Sequence, residues 1–150
     1  MIIDKLTEFA DAATVGTPNS STVNVGSTID LGVARDIGNG QPVYVVFIVQ
    51  TAITSGGAAT VKFQVASDST STPSVDGTQT VHFTSAAIPV ATLVAGYKFS
   101  VALPTEGQAY EQYLGVQVAE AAGQALTAGA IDAFLSLDPV GWKAYPDASN

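Results

Sequence analysis

The sequence predicts an all-β protein: an antiparallel sandwich of two sheets with an N-terminal arm, for which a jelly roll is the preferred topology. Three observations predict this fold. About eight segments alternate between apolar and polar residues, they recur at intervals of roughly 10–15 residues, and turn-forming residues separate them. An immunoglobulin-like sandwich is less favoured, because the paired cysteines and the mid-strand tryptophan of that fold are absent.

The length and composition fit a single domain. The chain has 150 residues, and 47% of them are hydrophobic, which is enough to build a substantial core. No internal repeat and no linker-like stretch divides it. We therefore expect one domain over residues 1–150, with an arm and loop over 1–27 and an aromatic C-terminal tail over 139–150.

The first thirteen residues allow two interpretations. Ile2, Leu6, Phe9 and Ala13 recur at helical spacing, but the segment is short and no capping residue precedes it. The alternative, which we favour, is an extended arm that packs Ile3, Leu6 and Phe9 onto a sheet or onto a neighbouring molecule.

The strongest strand signal lies in the first half of the chain. Residues 14–27 are rich in Thr, Ser, Gly and Asn and predict a loop, with a short strand at 22–25 as an option. The continuously apolar residues 43–52 then predict a central strand that is covered on both faces. Residues 60–66 alternate cleanly, and we expect them to form a hairpin with 43–52.

Further strands follow in the second half. Residues 80–84 alternate, with Val81 and Phe83 expected to point inward. His82 lies between these two residues and is therefore expected to point away from the core. Other strand segments centre on 99–103, 114–118 and 131–137, with Leu137 as the last inward residue. The stretch 119–128 contains Gly123 and is interpreted as a loop.

The charge balance limits the partners that the protein can have. Only 12% of the residues are charged, about half the usual share, and such a surface is easily desolvated in broad protein contacts. The net charge is −8, with 13 acidic and 5 basic residues. Because nucleic-acid binding requires a basic patch, we expect no nucleic-acid partner.

The sequence indicates neither disulfides nor membrane insertion. It contains no cysteine, which excludes disulfides and thiolate metal sites. The first residues lack the basic and apolar regions of a signal peptide, and the longest apolar run, Val43 to Val49, is far too short to span a bilayer. We expect a protein made in the cytoplasm, with no membrane partner.

No catalytic or cofactor site is predicted. His82 is the single histidine, so a Ser-His-Asp triad or a zinc site would have to include it. The loop that carries Asp68 and Asp76 lacks the dense acidic spacing of a calcium loop. The exception left open is a carbohydrate site, for which exposed aromatic residues would be needed near the scattered acids. The candidates are Tyr110, Tyr113, Trp142 and Tyr145.

Three segments of the sequence resemble a known family. Met1-Ile2-Ile3-Asp4-Lys5-Leu6-Thr7, followed by Phe9 and Asp11-Ala12, is similar to the start of the Bbp16-like capsid cement proteins of tailed phages. The segment from Ile29 to Gly40 resembles the same family, as does Thr127-Ala128-Gly129 before the last strand. Residues 67–95 are less similar.

The resemblance implies a jelly-roll protein on the outer surface of a virion capsid built from HK97-like major capsid subunits. The implied partners are the major capsid protein and further copies of the chain, as a dimer or trimer, and no enzyme activity is implied. The alternatives are a carbohydrate-binding module and another virion component such as a head-tail adaptor. We take as candidate contact residues Ile3, Leu6, Phe9, Arg35, Trp142 and Tyr145.

Overall fold

The computed structural model describes residues 4–34, 37 and 40–139. The regular secondary structure of this part of the chain is all β-strand apart from two short 3-10 helices, Lys5–Thr7 and Val90–Thr92. The predicted fold class is confirmed. The strands are β1 (Glu8–Thr14), β2 (Thr22–Asp30), β3 (Tyr44–Ser55), β4 (Thr60–Asp68), β5 (Thr80–Thr84), β6 (Ile88–Pro89), β7 (Lys98–Ala102), β8 (Tyr113–Glu120) and β9 (Leu126–Ser136).

The strands form two antiparallel sheets with jelly-roll topology. The first sheet has the order β1-β9-β3-β7, and the second has the order β2-β8-β4-β5, with the short β6 also paired to β4. The pairs β1–β9, β2–β8, β3–β7 and β4–β5 follow one another from the chain ends inward, like one long hairpin folded over on itself. This arrangement is that of a jelly roll.

The core lies between the two sheets and is centred on three phenylalanines. The ring of Phe47 on β3 stacks on Phe99 of β7, with centroids 4.9 Å apart, and meets Phe63 of β4 across the core at 5.4 Å. Aromatic pairs of this kind contribute about 0.5–1.5 kcal/mol beyond the burial of their area. They fix the separation and orientation of the two sheets.

Strand β3 is covered on both faces, as its continuous apolar sequence predicts. Val45, Phe47 and Val49 point into the main core. The alternate residues Val46 and Ile48 form a second buried cluster with Phe134 of β9 on the opposite face. Strands β9 and β7 flank β3, so its predicted central position is also confirmed.

The predicted hairpin between residues 43–52 and 60–66 is wrong. Strands β3 and β4 lie in different sheets, and β3 pairs with β7 and β9 instead. Alternation identifies the apolar face of each strand but not its hydrogen-bonded neighbour. The short connection between the two strands crosses from one sheet to the other, which places Phe47 and Phe63 opposite each other in the core.

The expected arm and loop over residues 1–27 need correction. Residues 8–14 form edge strand β1, which pairs with β9, and β2 begins at Thr22. Phe9 is 1% exposed and belongs to the main core. The register of β1 shifts twice against β9, which explains why its sequence lacks a clear strand alternation. Leu6, in the preceding 3-10 helix, does not pack onto the sheet.

At one side of the sandwich, the backbones of strands β1 and β2 lie very close to each other. Gly26 of β2 has a φ of +71°, and a Cβ placed there would lie 2.0 Å from the carbonyl oxygen of Phe9. Only glycine combines this backbone conformation with this lack of volume. The register of β2 against β8 shifts at the same place, between Val25 and Ile29.

Candidate interaction surface

Both ends of the described chain lie at one end of the sandwich. The first residue of β1, Glu8, pairs with Phe134, and the last residue of β9, Ser136, pairs with Tyr44 at the start of β3. The connections from β2 to β3 and from β7 to β8 close this end. We call it the terminal end, and it comprises the described residues within 4–7, 31–43, 69–79, 103–112 and 137–139.

Two backbone hydrogen bonds hold the connections of the terminal end together. The N–H of Leu31 donates to the carbonyl oxygen of Gln112, and the N–H of Leu103 donates to that of Val43, both at 2.8 Å. Leu103 and Val43 also pack against the main core. The terminal end therefore has a fixed backbone frame on which exposed side chains are displayed.

Large apolar side chains are exposed at this end. Leu6 is 79% exposed, Val33 60% and Leu137 64%, whereas at the opposite end of the sandwich Val94 is 55% exposed. Single exposed apolar residues are ordinary on protein surfaces, but their concentration at one end is typical of a contact surface. Val75, also at the terminal end, and Val81, which borders it, are partly exposed as well.

The structure separates the candidate contact residues. Leu6 is exposed at the terminal end, as a contact residue requires. Phe9 is a core residue, so its assignment to the contact surface is wrong. The other four candidates lie outside the described residues, namely Ile3, Arg35, Trp142 and Tyr145.

Sequence reasoning missed Val33 and Leu137. Leu137 continues the alternation of the last strand and was expected to point inward. Strand β9 ends at Ser136, however, where the Ser136 hydroxyl donates to the carbonyl oxygen of Asp138 and accepts the N–H of the same residue. This turn rotates Leu137 out of the sheet. Val33 follows Gly32 in a turn and has no periodic pattern that could have identified it.

The terminal end is also acidic. Among the described residues, it carries or borders a majority of the carboxylates, while Lys5 is its one basic side chain; the acids are Asp4, Glu8, Asp30, Asp68, Asp76, Glu106, Glu111 and Asp138. Lys5 forms an exposed ion pair with Glu8 at 2.7 Å, so its positive charge is partly neutralised and the surface stays acidic. An acidic surface with exposed apolar side chains suits a protein partner with a basic or neutral surface.

Asp68 anchors the loop between β4 and β5. Its Oδ1 accepts the backbone N–H of Thr70 at 3.0 Å, and its Oδ2 accepts the N–H of Ser74 at 2.9 Å. These bonds favour the ionised carboxylate and lower the pKa of Asp68 to about 2. The loop is thus held in one conformation by a charge that is largely shielded from solvent.

Two side-chain amides, the buried Gln117 and the half-buried Asn24, bind the same loop to the outer face of the second sheet. Gln117, which is fully buried on β8, donates through Nε2 to the carbonyl oxygen of Ser74 at 2.8 Å and to Oδ1 of Asn24 at 3.0 Å. Asn24 in turn donates to the carbonyl oxygen of Pro73 at 2.7 Å. The loop covers this part of the sheet and borders a shallow depression of about 310 Å³. Because these hydrogen bonds hold the loop backbone to the sheet, the loop is a rigid part of the surface.

At the opposite end of the sandwich, Glu120 is buried in a cradle of backbone N–H groups. It is 2% exposed and accepts from Ser20, Ala122, Gly123 and Gln124 at 2.7–3.3 Å. Burial by itself would raise the pKa of Glu120, but the four donors outweigh it and lower the pKa below its usual value. All of these donors belong to the protein itself, so the buried carboxylate has a structural role: it holds the surrounding backbone in place.

His82 lies at a β-bulge, and its predicted outward orientation needs correction. Val65 pairs with Phe83 and the next residue, Ala66, pairs with Val81, so His82 is the extra residue. The bulge exposes Val81, which was expected inward, and turns the His82 ring onto Tyr110 with centroids 3.9 Å apart. A bulge of this kind has no signal in the alternation of the sequence.

The contacts of His82 indicate a structural role. Its Nε2 lies 2.7 Å from Oγ of Ser67, and the N–H of Glu111 donates to the same oxygen at 3.0 Å. Burial lowers the pKa of His82, and the nearby charge of Glu111 partly opposes this. Ser67 is fully buried, so its hydroxyl is closed to a substrate. The cluster joins β4, β5 and the connection before β8.

Of the candidate sugar-binding aromatics, Tyr110 is excluded, and Trp142 and Tyr145 lie outside the described residues. Tyr110 is 2% exposed and its hydroxyl donates to the carbonyl oxygen of Pro104, so it cannot serve as a sugar platform. Within residues 4–34, 37 and 40–139, no group of three or more His, Cys, Asp or Glu side chains is placed to hold a metal ion. The same residues contain no helix long and apolar enough to cross a membrane.

Comparison with known proteins identifies a family. The model of the Bbp16 family matches residues 9–135, which extend from the second residue of β1 to the penultimate residue of β9 and so span nearly all of the jelly roll. No curated protein matches the chain.

Proposed function

The chain belongs to the Bbp16 family, and from this membership we propose that it is a cement protein of a tailed-phage virion. In this role it binds the outer surface of an HK97-like major capsid shell and ties neighbouring capsomers together. It is made in the host cytoplasm and acts by binding alone, without catalysis, cofactor, nucleic acid or membrane. The family match over residues 9–135 is the observation that carries the proposal.

The terminal end supplies a surface of the required kind. A cement protein meets shallow, symmetry-related surfaces, so its affinity depends on contact area and on few well-placed apolar side chains. Leu6, Val33 and Leu137 are such side chains, and they stand on a rigid backbone frame. The acidic residues around them favour a partner surface that is less acidic than the protein itself.

Self-association completes the proposal. A protein that joins capsomers needs more than one capsid contact, which a dimer or trimer provides by repeating one weak site. The charge-poor surface of the chain, with 12% charged residues, is easily desolvated and suits both contacts.

The direct test is decoration of phage heads that lack the protein. Purified protein is mixed with such heads, and bound protein is measured after sedimentation. We expect saturable binding in a fixed ratio to the major capsid protein, together with greater resistance of the heads to heat. Absence of binding to these heads would refute the proposed function.

Matched variants test the assigned surface. Leu6→Asp and Leu137→Asp introduce charges at the terminal end, while Val94→Asp introduces the same charge at an exposed valine at the opposite end. We expect the first two to weaken decoration and the third to leave it unchanged, with all three folded. Equal binding by all three variants would show that the capsid contact does not lie at the terminal end. A copy number limited to a single ring per virion would favour a head-tail adaptor instead.

A further inference from the structure

The hydroxyl of Ser67 lies between two nitrogen atoms that come from different elements of the fold. Its Oγ is 2.7 Å from Nε2 of His82 on β5 and 3.0 Å from the backbone nitrogen of Glu111, in the connection between β7 and β8. Ser67 itself is fully buried on β4. The part of the chain that the structure describes contains no other hydrogen-bond partner of this hydroxyl. These two contacts therefore have to satisfy its single hydrogen.

The protons of this cluster can be placed from the contacts. The Glu111 nitrogen is a backbone amide and can only donate, so it uses a lone pair of the Ser67 oxygen. If His82 also donated through Nε2, the hydroxyl hydrogen of Ser67 would be buried without an acceptor. If Nε2 carries no hydrogen, the hydroxyl donates to it and both contacts are satisfied. The separation of 2.7 Å is typical of a hydroxyl donor.

We propose that His82 is a pH-operated latch. In its neutral form, with the proton on Nδ1, it accepts the Ser67 hydroxyl and holds the connection of residues 103–112 against β4; as an imidazolium it releases this connection. An imidazolium carries a hydrogen on Nε2 as well, so the Ser67 hydroxyl loses its acceptor. Because a buried donor without an acceptor is costly, the contact opens and water reaches the hydroxyl. This inference does not depend on the proposed function.

The connection that the latch holds is part of the terminal end. Tyr110 stacks on the His82 ring with centroids 3.9 Å apart, and its hydroxyl donates to the carbonyl oxygen of Pro104. The backbone of Glu111 is bound by the latch itself. The next residue, Gln112, accepts a backbone N–H from the connection that follows β2. Release of the latch therefore loosens part of the backbone frame of the terminal end.

Two ionisable side chains of the connection face the His82 ring. Tyr110 stacks on it, and the Glu111 carboxylate, which accepts the Thr80 hydroxyl at 2.8 Å, is the negative charge near it. This charge favours the imidazolium and so makes protonation accessible in mild acid. Strand β5 has no other ionisable side chain, and those of β4 lie on its outer face, away from the ring; they are Lys62 and Asp68.

Nitrogen NMR of the single histidine tests the proton placement in the unmodified protein. At pH 7.5 we expect the chemical shifts of a ring with a protonated Nδ1 and an unprotonated Nε2. At pH 5 we expect a growing share of imidazolium. A ring that carries its proton on Nε2 at pH 7.5, or an equal mixture of the two neutral forms, would overturn the proposal.

Hydrogen exchange of the Glu111 amide tests the release. After correction for the intrinsic pH dependence of exchange, we expect its protection to fall about tenfold as His82 becomes protonated, the effect of one lost hydrogen bond. The Ala122 amide is the internal control, because it donates to the carboxylate of Glu120, which stays ionised in this range. Unchanged protection of the Glu111 amide would overturn the latch. An equal loss at both amides would do so as well, since it would reflect global unfolding.

A matched pair of variants tests the role of the hydroxyl. Ser67→Ala removes it, while Ser85→Ala removes a hydroxyl that likewise accepts a backbone N–H, from Phe63 at 3.0 Å, without contacting the histidine. We expect Ser67→Ala to raise the pKa of His82 towards 6.5 and to leave the Glu111 amide weakly protected at both pH values. The control should titrate like the wild type. A wild-type titration in folded Ser67→Ala would overturn the proposal, and if this variant does not fold, the two measurements on the unmodified protein decide.

Discussion

The carboxylate of Glu120 accepts the backbone N–H of Ser20, 100 residues away in the chain, at 2.9 Å. This bond joins the turn between β1 and β2 to the turn between β8 and β9. The remaining carboxylate positions are occupied by the N–H groups of Ala122, Gly123 and Gln124. A single side chain thus satisfies backbone donors from both turns and ties the two turns together.

Replacement of this carboxylate should destabilise the fold. Glu120→Gln keeps one acceptor oxygen but turns a second acceptor into an NH₂ group that faces backbone donors. We expect a loss of about 2–3 kcal/mol in the free energy of unfolding, measured by urea denaturation near neutral pH. The matched control is Glu106→Gln, a change in an exposed loop residue, for which no comparable loss is expected. Equal stability of the two variants would contradict the structural role assigned to the Glu120 carboxylate.

Asp68 should make stability depend on pH in the acid range. Its pKa is lowered from 3.8 to about 2 in the folded chain, so folding favours the ionised form. The stabilisation is therefore complete above the unfolded pKa and is lost as the pH falls from about 4 towards 2. We expect Asp68→Asn to cost about 1–2 kcal/mol at pH 6 and to be nearly neutral at pH 2, measured by urea denaturation at each pH. A cost that is independent of pH would show that the charge has no role.

The fold was predictable because the apolar pattern of the long strands is strong. Residues 43–52 identify β3 as a covered central strand, and the regular spacing of alternating segments identifies a sandwich. The partners of each strand were not predictable, since the hydrogen bonds that distinguish a hairpin from a crossing between sheets leave no mark on alternation. Strand β1 was missed as a strand because its register shifts twice and six of its seven residues are small or polar.

The candidate surface was predictable only in part. Leu6 stands out as an apolar residue in a short initial segment, and its exposure agrees with a contact role. Leu137 was assigned inward because alternation continues through it, while a side-chain turn at Ser136 decides its orientation. The bulge at His82 is a comparable case, because a single extra residue inverts the facing of Val81. Local hydrogen bonds of this kind are set by the tertiary structure.

Glycine at position 26 should be indispensable for the near approach of β1 and β2. Gly26→Ala combines a φ of +71° with a Cβ 2.0 Å from the Phe9 carbonyl oxygen. Gly77→Ala is the matched control, since its φ is +97° but a Cβ there meets nothing within 4 Å. We expect about 1–2 kcal/mol for the control, from backbone strain alone. A much larger loss, or no folded protein, is expected for Gly26→Ala in thermal unfolding. Equal melting temperatures of the two variants would refute the steric argument.

Truncation of the N-terminus should separate contact from folding. Removal of residues 1–7 leaves β1 intact and should preserve the melting temperature within a few degrees, while decoration of heads weakens because Leu6 is lost. Removal of residues 1–13 deletes most of β1 and the buried Phe9 and should prevent folding. As a milder form of the second change, Phe9→Ala should cost about 3–5 kcal/mol. A stable protein lacking residues 1–13 would contradict the assignment of β1 to the core.

His82 should destabilise the protein when it becomes protonated. Burial against Tyr110 and Ser67 lowers its pKa below 6.5, with Glu111 opposing part of the shift. Because the folded pKa lies below the unfolded one, the stabilisation is present above pH 6.5 and is lost as the pH falls through the folded value. The urea midpoint should therefore decrease between pH 7.5 and 5, and the decrease should be absent in His82→Gln.

The single histidine allows this prediction to be checked at the atom concerned. Its ring proton resonance reports one titration, free of overlap from other histidines. Asp68 and Glu120, whose pKa values are lowered from the ordinary carboxylate range, titrate well below this window and do not contribute to the change. A measured pKa at or above 6.5 would mean that the imidazolium is accommodated at the bulge. In that case the stacking on Tyr110 would persist through protonation, and the loss of stability below neutral pH would have to originate in another group.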